Sequence, residues 1–165
     1  MKAYFLIAGL LLGATALPSA EPKSDAAAAF TRLKTLVGEW EAKTSMGQAH
    51  LSYELTAGGS ALVERESMEN MPGMLTVFTL DGDRLLLTHY CMAGNQPTMH
   101  ASYAPDAKTL TFDFESASNL KSPNDGHMHN AVYTFLDNDH FKTRWTFQKD
   151  QKDAFTEEVT YVRVK

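Results

Sequence analysis

One predicted β-hairpin, spanning residues 84–104, holds a histidine, a cysteine and a methionine whose spacing suits ligand or metal chemistry. If a five-residue loop closes this hairpin, Cys91 faces Met99 and His89 faces Ala101. Directly opposed residues of an antiparallel pair lie on the same face. The sequence therefore predicts that imidazole, thiol and thioether share one surface. That set suits a polar anchor in an apolar cavity, a soft-metal site, or ordinary packing around a hydrogen-bonded histidine.

The more apolar face of the hairpin is assigned to the interior, because antiparallel sheets commonly cover one face and leave the other wet. In the predicted register Leu87 lies opposite Tyr103 on that face. We expect His89, Tyr103 and Cys91 to orient a ligand there. The candidate ligand-binding residues are Leu87, His89, Cys91, Met99 and Tyr103.

Three methionines follow one another at intervals of three residues, at Met68, Met71 and Met74. Thioethers prefer Cu(I), so a copper site is one interpretation of this spacing. The other is a loop between strands whose methionines cover an apolar surface or the mouth of a barrel. No set of metal ligands is assigned, and no cofactor is expected.

The sequence gives catalysis little support, because it lacks the common hydrolase, metalloprotease, phosphate-loop and dithiol motifs. Cys91 and His89 lie two residues apart on one strand face and form a conceivable nucleophile and base. Buried cysteines are usually inert, however. Glu64 and Glu66 share a face that the pattern assigns to solvent. An enzymatic function therefore remains an alternative, for which the sequence suggests no substrate.

The elements that position these residues are mostly strands. Apolar residues at helical spacing predict one short helix over Asp25–Val37, which Gly38 ends. Apolar and polar residues then alternate, with turn residues between short segments. Such a chain favours an all-β fold, an antiparallel up-and-down β-barrel of eight to ten strands with one N-terminal helix. The candidate strands are Glu39–Thr44, Ala49–Thr56, Ala61–Ser67, Met74–Leu80, Arg84–Met92, Thr98–Ala104, Thr109–Ser116, Met128–Leu136, Phe141–Gln148 and Phe155–Val164.

Residues 1–20 have the pattern of a secretory signal peptide, with a basic start, a short apolar run and small residues for cleavage after Ala16 or Ala20. We expect an exported protein, periplasmic or secreted, whose residues 21–165 form one domain. The formal net charge of −5 at pH 7 and the absence of basic clusters argue against a nucleic-acid partner. No membrane insertion is expected after the signal is removed.

A Gly38-x-Trp40 motif joins the predicted helix to the first strand. This motif, with the segments Ala57–Ala61 and Thr88–Pro97, resembles uncharacterised exported bacterial lipocalin-like proteins of the calycin superfamily, and more distantly the fatty-acid-binding barrels. The resemblance covers the whole mature chain. It implies a barrel with a small-molecule cavity, a tryptophan that plugs the closed end, and a late basic residue, Arg163 here, over that tryptophan.

Nitrobindin-like barrels are another distant resemblance, and they bind haem through a histidine near the end of the chain. This chain has no histidine after His140, and the last predicted strand, Phe155–Val164, has none. A haem ligand is therefore not carried over to this sequence.

Together these patterns predict a binding protein for a small, mainly hydrophobic molecule in the barrel interior. The alternatives are a copper-binding protein, an enzyme that uses Cys91 and His89, and a structural barrel with a packed interior. The oligomeric state is left open.

Overall fold

A computed structural model describes residues 25–103 and 108–165. The predicted signal peptide, residues 1–20, lies outside the described residues. The helices are α1 (Asp25–Leu33) and two short 3-10 helices at Lys34–Leu36 and Ala57–Gly59. The strands are β1 (Gly38–Thr44), β2 (Gly47–Thr56), β3 (Ala61–Met68), β4 (Met74–Asp81), β5 (Arg84–Tyr90), β6 (Gln96–Tyr103), β7 (Thr109–Ser118), β8 (His127–Phe135), β9 (His140–Lys149) and β10 (Lys152–Arg163).

The ten strands form one closed barrel in which each strand pairs with its neighbours in sequence and β10 returns to β1. Every pairing is antiparallel. The predicted all-β barrel with one short helix is confirmed, and the predicted strand bounds differ from the observed ones by at most three residues. The barrel closes where β1 pairs with β10, through Trp40 opposite Arg163 and Glu41 opposite Val162.

The N-terminal helix is shorter than predicted, because α1 ends at Leu33 and a 3-10 turn continues the chain to Leu36. The indole nitrogen of Trp40 donates a hydrogen bond to the carbonyl oxygen of Leu36 at 2.7 Å. Val37 is extended, with a ψ of 128°. The side chain of Trp40 thus takes over a carbonyl that a longer helix would use. No helix in the described part of the chain is long and apolar enough to cross a membrane.

Trp40 and Arg163 seal one end of the barrel. The guanidinium carbon of Arg163 lies 4.1 Å from the centroid of the Trp40 ring, within cation–π range. The same guanidinium donates hydrogen bonds to the carbonyl oxygens of Thr35 at 2.8 Å, Val37 at 2.9 Å and Asn138 at 3.1 Å. The expectation that Arg163 packs over the tryptophan is confirmed. We call this the closed end.

Gly38 is required at the closed end for two reasons. Its φ of +123° lies in the region that favours glycine. A Cβ atom at this position would also lie 3.1 Å from a guanidinium nitrogen of Arg163. The glycine of the G-x-W motif therefore leaves room for the arginine that covers the tryptophan.

The half of the interior next to the closed end is tightly filled. Phe78, Phe112, Tyr133 and Phe141 pack with ring centroids 5.6 to 6.5 Å apart, and all are buried. Large aliphatic side chains of the strands are fully buried beside them. Leu62, Leu85, Leu87, Met99 and Leu110 are among these.

The hairpin of β5 and β6 has a different register from the predicted one. Met99 faces Leu87 instead of Cys91. The predicted pairings of Cys91 with Met99, His89 with Ala101, and Leu87 with Tyr103 are therefore wrong. The shift is four residues, an even number, so the residues stay on the predicted faces, because side chains alternate with a period of two. Leu87, His89 and Met99 are buried as expected.

A turn that begins at Cys91 explains the shift. Strand β5 ends at Tyr90. The backbone nitrogen of Gly94 then donates to the carbonyl oxygen of Cys91 at 2.9 Å, and that of Cys91 donates to Asn95 at 3.2 Å. These bonds place a five-residue connection at residues 91–95, two residues earlier than the predicted loop Ala93–Pro97. Cys91 consequently belongs to the loop and not to the strand.

We predict that Arg163→Ala lowers the free energy of unfolding by about 2–4 kcal/mol, because it removes the cation–π contact and leaves carbonyl groups without donors. Arg163→Lys should recover only a minor part, since an ammonium group cannot reproduce the planar fork that serves several carbonyls. Urea unfolding followed by tryptophan fluorescence measures both changes. A loss below about 0.5 kcal/mol for the alanine variant, the usual range for surface substitutions, would contradict this role.

Candidate functional site: a chamber at the open end of the barrel

A row of polar side chains crosses four neighbouring strands in the middle of the barrel. Tyr53 on β2 faces Glu64 on β3, Glu64 faces Thr76 on β4, and Thr76 faces His89 on β5. All four residues are buried. The next row toward the closed end is apolar and joins Leu62 to Phe78 and Phe78 to Leu87. The polar row therefore borders the packed half of the barrel.

Glu64 is the centre of this row. One oxygen of its carboxyl group, Oε2, accepts hydrogen bonds from the hydroxyl groups of Tyr53 at 2.5 Å and Tyr133 at 2.9 Å. Tyr133 lies on β8, so this contact spans the barrel interior. Burial raises the pKa of Glu64, while the bonds from Tyr53, Tyr133 and Thr76 lower it. The distance to Tyr53 is typical of a hydroxyl that donates to a carboxylate.

The prediction that Glu64 and Glu66 face solvent is wrong. Glu64 is 3% exposed, and Glu66 is mostly covered. Leu62 and Met68 are buried on the same strand and lie at even intervals from both glutamates. Since a strand alternates with a period of two, these flanking apolar residues already assigned the glutamates to the interior.

His89 presents an unpartnered nitrogen toward the barrel interior. Its Nδ1 lies 3.0 Å from the Thr76 hydroxyl oxygen. The Thr76 hydroxyl lowers the pKa of Glu64 as a hydrogen-bond donor, so its oxygen is left to accept from Nδ1–H, and we assign the His89 proton on that basis. Nε2 is then a free acceptor, buried and without a partner among the described residues. Burial lowers the pKa of His89 to about 4, which keeps the ring neutral.

A chamber of about 1040 Å³ lies at the other end of the barrel, lined by residues of the β1–β2, β3–β4 and β5–β6 connections and by residues 155–160 of β10. We call this the open end. Apolar side chains dominate its wall, and methionines are the most frequent of them. The lining methionines are Met46, Met68, Met71, Met74, Met92 and Met128. Phe147, Phe155, Val159 and Cys91 also line it.

A narrow recess of about 30 Å³ lies between the chamber and the polar row. Glu66, Met74, Met128, Glu157 and Val159 line both spaces, so the recess forms the floor of the chamber. The remaining lining residues include polar and aromatic groups. They are Leu51, Glu64, His89, Thr143, Trp145 and Tyr161.

Carboxyl groups concentrate at this floor. Burial, together with the smaller effect of the nearby charges of Glu64 and Glu157, raises the pKa of Glu66 to about 7. Burial also raises the pKa of Glu157. The floor is therefore acidic but poorly hydrated, a combination that makes an isolated negative charge costly.

The structure separates the five predicted ligand-binding residues. His89 lines the floor and Cys91 lines the chamber. Leu87 and Met99 are fully buried in the packed half. Tyr103 lies at the end of β6 toward the closed end and packs against the core there. The ligand-binding roles of these residues stay predictions.

Met68, Met71 and Met74 all line the chamber at the mouth of the barrel. This is the position that the second interpretation of their spacing predicted. No group of three or more histidine, cysteine, aspartate or glutamate residues in the described ranges could hold a metal ion. Met99, which the sequence predicted to face Cys91, lies in the packed half. A copper-binding role for the thioethers stays a prediction.

Cys91 and His89 do not form an activated nucleophile and base. The thiol sulfur accepts a hydrogen bond from the backbone nitrogen of Ala93 at 3.4 Å, and Nδ1 of His89 is engaged by Thr76. Burial and the charge of Glu66 raise the pKa of the Cys91 thiol. Reactive cysteines need the opposite shift, toward the thiolate.

Comparison with known proteins supports the fold. No protein-family model matches the chain, and no curated protein matches it. A solved protein of unknown function from the DUF3598 family of Nostoc punctiforme is similar, with a TM-score of 0.53, 17% identity and 80% of this chain covered. This chain spans about half of that protein, 49%. Rv2717c from M. tuberculosis is also similar, with a TM-score of 0.52, 13% identity, and 86% of this chain and 100% of that one covered.

We predict that Tyr133→Phe lowers the free energy of unfolding by about 1.5–3 kcal/mol, because Glu64 loses a hydrogen bond in a buried site. Tyr53→Phe should cost a similar amount, and the double variant more than the sum, since Glu64 would then lose both tyrosine donors. Urea unfolding measures each variant. Tyr90→Phe, at a position 48% exposed on the barrel surface, is the control. A Tyr133→Phe loss no larger than that of the control would contradict the role of this hydrogen bond.

We predict that Glu66→Gln changes the pH dependence of stability. Folded Glu66 keeps its proton up to about pH 7, whereas an unperturbed carboxyl loses it near 4.5, so wild type loses stability as pH rises through this window. Glutamine carries no such proton. The free energy of unfolding of the variant should therefore rise relative to that of wild type by up to about 3 kcal/mol between pH 5 and 8.5. Urea unfolding across that range measures the gain. A constant difference would show that Glu66 is solvated.

Proposed function

We propose that this barrel binds a small, mainly hydrophobic molecule in the chamber at its open end. The observation that carries the proposal is the cavity of about 1040 Å³ with its apolar wall, because ligand sites are concave, largely apolar and carry a few polar groups. Affinity would come from the apolar surface that the ligand buries, at ~25 cal/mol per Å² before the losses of association are subtracted.

The methionine side chains suit this task. They are unbranched and flexible, so a wall made of them adapts to ligands of different outline. Phe147 and Phe155 stack at the wall with ring centroids 5.0 Å apart, and Phe155 is 49% exposed. Such half-exposed apolar surface at a cavity mouth favours contact with a partner molecule over contact with water.

The two ends of the barrel differ in their access to ligand. Trp40, Arg163 and α1 cover the closed end, so a ligand would enter between the loops of the open end. The polar groups of the chamber floor, His89 among them, would orient the molecule, and Cys91 would contact it from the wall. This arrangement supports binding over an entirely packed, structural interior.

We place the chain, on the same grounds, among the lipocalin-like barrels. The G-x-W motif with Arg163 over Trp40 and the ten-strand closure support that relationship. The pattern of residues 1–20 supports export, so the proposed site of action is the periplasm or the exterior.

Native mass spectrometry of the protein isolated from its own periplasm tests this function. We expect a mature chain that begins after Ala16 or Ala20 and carries a retained organic molecule. Val159→Phe should reduce the retained fraction, because Val159 is buried and lines both the chamber and its floor. Val132→Phe is the matched control, since Val132 faces Arg144 on the outer face of β8.

Bare protein from the periplasm, together with no binding of fatty acids or hydrophobic dyes, would contradict the proposal. An equal retained fraction in the Val159 and Val132 variants would place the ligand elsewhere on the protein. A mass increment of one copper ion instead of an organic molecule would favour the soft-metal alternative.

A further inference from the structure

The charged groups among the described residues that line the recess are all carboxyls, and its other polar groups are His89, the hydroxyls of Thr143 and Tyr161 and the indole N–H of Trp145. Carboxyl groups of Glu66, Glu157 and Glu64 line the recess, and His89 lines it with them. No lysine or arginine is among the described residues that line the recess. Lys43 lines the chamber above it and is exposed. A ligand that reaches the floor therefore meets negative charge and lone pairs.

His89 gives independent evidence that a donor is missing from this recess. The residue is 2% exposed, and its Nε2 atom has no hydrogen-bond partner among the described residues. With the proton on Nδ1, Nε2 is an acceptor that no protein group satisfies. A buried polar atom without a partner costs stability, so such atoms in folded proteins point to a missing water or ligand.

Within residues 25–103 and 108–165, neither Glu66 nor Glu157 forms an ion pair with a basic side chain. Glu64, Glu66 and Glu157 line the same recess of about 30 Å³, and the charges of Glu64 and Glu157 raise the pKa of Glu66. In a poorly hydrated site this repulsion falls when an opposite charge enters. A cation at the floor would stabilise Glu66 and Glu157 in their ionised forms.

Trp145 adds a surface that suits a cation. Its ring lies 4.9 Å from the His89 ring, between centroids, and lines the recess. The face of an indole ring attracts ammonium groups, more strongly where water is scarce. Carboxyl groups, the imidazole of His89 and the indole of Trp145 thus line one small volume.

We propose that the ligand is an amphiphile with a primary ammonium head group, which the chamber floor binds while the apolar part lies among the methionines. The inference rests on the proposed function and specifies the ligand class for the same chamber. The ammonium donates hydrogen bonds to the carboxylates of Glu66 and Glu157 and to Nε2 of His89. The recess of about 30 Å³ holds about one water-sized group, so it admits –NH₃⁺ and excludes a trimethylammonium group.

Four probes with the same alkyl chain and different head groups test the inference on the mature protein. They are dodecylamine, dodecyltrimethylammonium, dodecan-1-ol and dodecanoate, each titrated below its micelle concentration by calorimetry. We expect dodecylamine to bind at least ~10-fold more tightly than dodecan-1-ol, because hydrogen bonds between charged groups strengthen binding by that order. Dodecyltrimethylammonium should bind no better than the alcohol, and dodecanoate should bind most weakly.

Charge-removing variants assign the effect to the floor. Glu66→Gln and Glu157→Gln should each weaken dodecylamine binding by ~10-fold and leave dodecan-1-ol binding unchanged, since they keep the shape of the recess. Glu54→Gln, at an exposed position of β2, is the matched control and should change neither affinity. Thermal unfolding verifies that each variant is folded. If one of the two floor variants fails to fold, the other still tests the inference.

Three results would overturn the inference. Dodecan-1-ol or dodecanoate binding as tightly as dodecylamine would show that the floor does not select a cation, while the hydrophobic-binding function would stand. An equal effect of Glu54→Gln and Glu66→Gln would assign the selectivity to overall charge. If none of the four probes binds, the proposed function itself fails, and this inference fails with it.

Discussion

The hydrogen bonds between the Glu64 carboxyl group and the hydroxyls of Tyr53 and Tyr133 set the internal organisation of this barrel. They connect β3 with β2 beside it and with β8 across the interior. A buried carboxyl group persists only where donors satisfy it, and here aromatic residues of the core supply them. On one side of this contact the interior is packed with aliphatic and aromatic side chains; on the other it is open.

The two halves follow from what the strands carry at each end. Trp40 and the guanidinium of Arg163 fill the closed end, so the barrel obtains much of its packing there. The open end carries flexible methionines instead of rigid aromatic layers, and the space between them stays unfilled. The packed core and the proposed binding chamber thus lie at different ends. This arrangement lets the chamber vary in shape without disturbing the core that holds the barrel closed.

Much of the fold could be predicted from the sequence, because alternation with a period of two and frequent turn residues indicate short antiparallel strands. The hairpin register could not, since it depends on backbone bonds of the turn at 91–95 that composition does not reveal. The burial of Glu64 could have been predicted from the apolar residues Leu62 and Met68 at even intervals on the same strand. The prediction assigned Glu64 to solvent instead because its side chain carries a charge. The chamber itself could not be predicted, because its lining methionines lie on several separate loops and strands that only barrel closure brings together.

The central claim is that ligands occupy the open end and leave the packed half undisturbed. Nuclear magnetic resonance of ¹³C-methyl-labelled methionine tests it most directly, because Met99 lies in the packed half and the other described methionines line the chamber. Titration with dodecan-1-ol is predicted to shift the methyl signals of Met68, Met74 and Met128 and to leave that of Met99 in place. A ligand-dependent shift confined to Met99, or saturable binding that moves none of the chamber signals, would contradict the account.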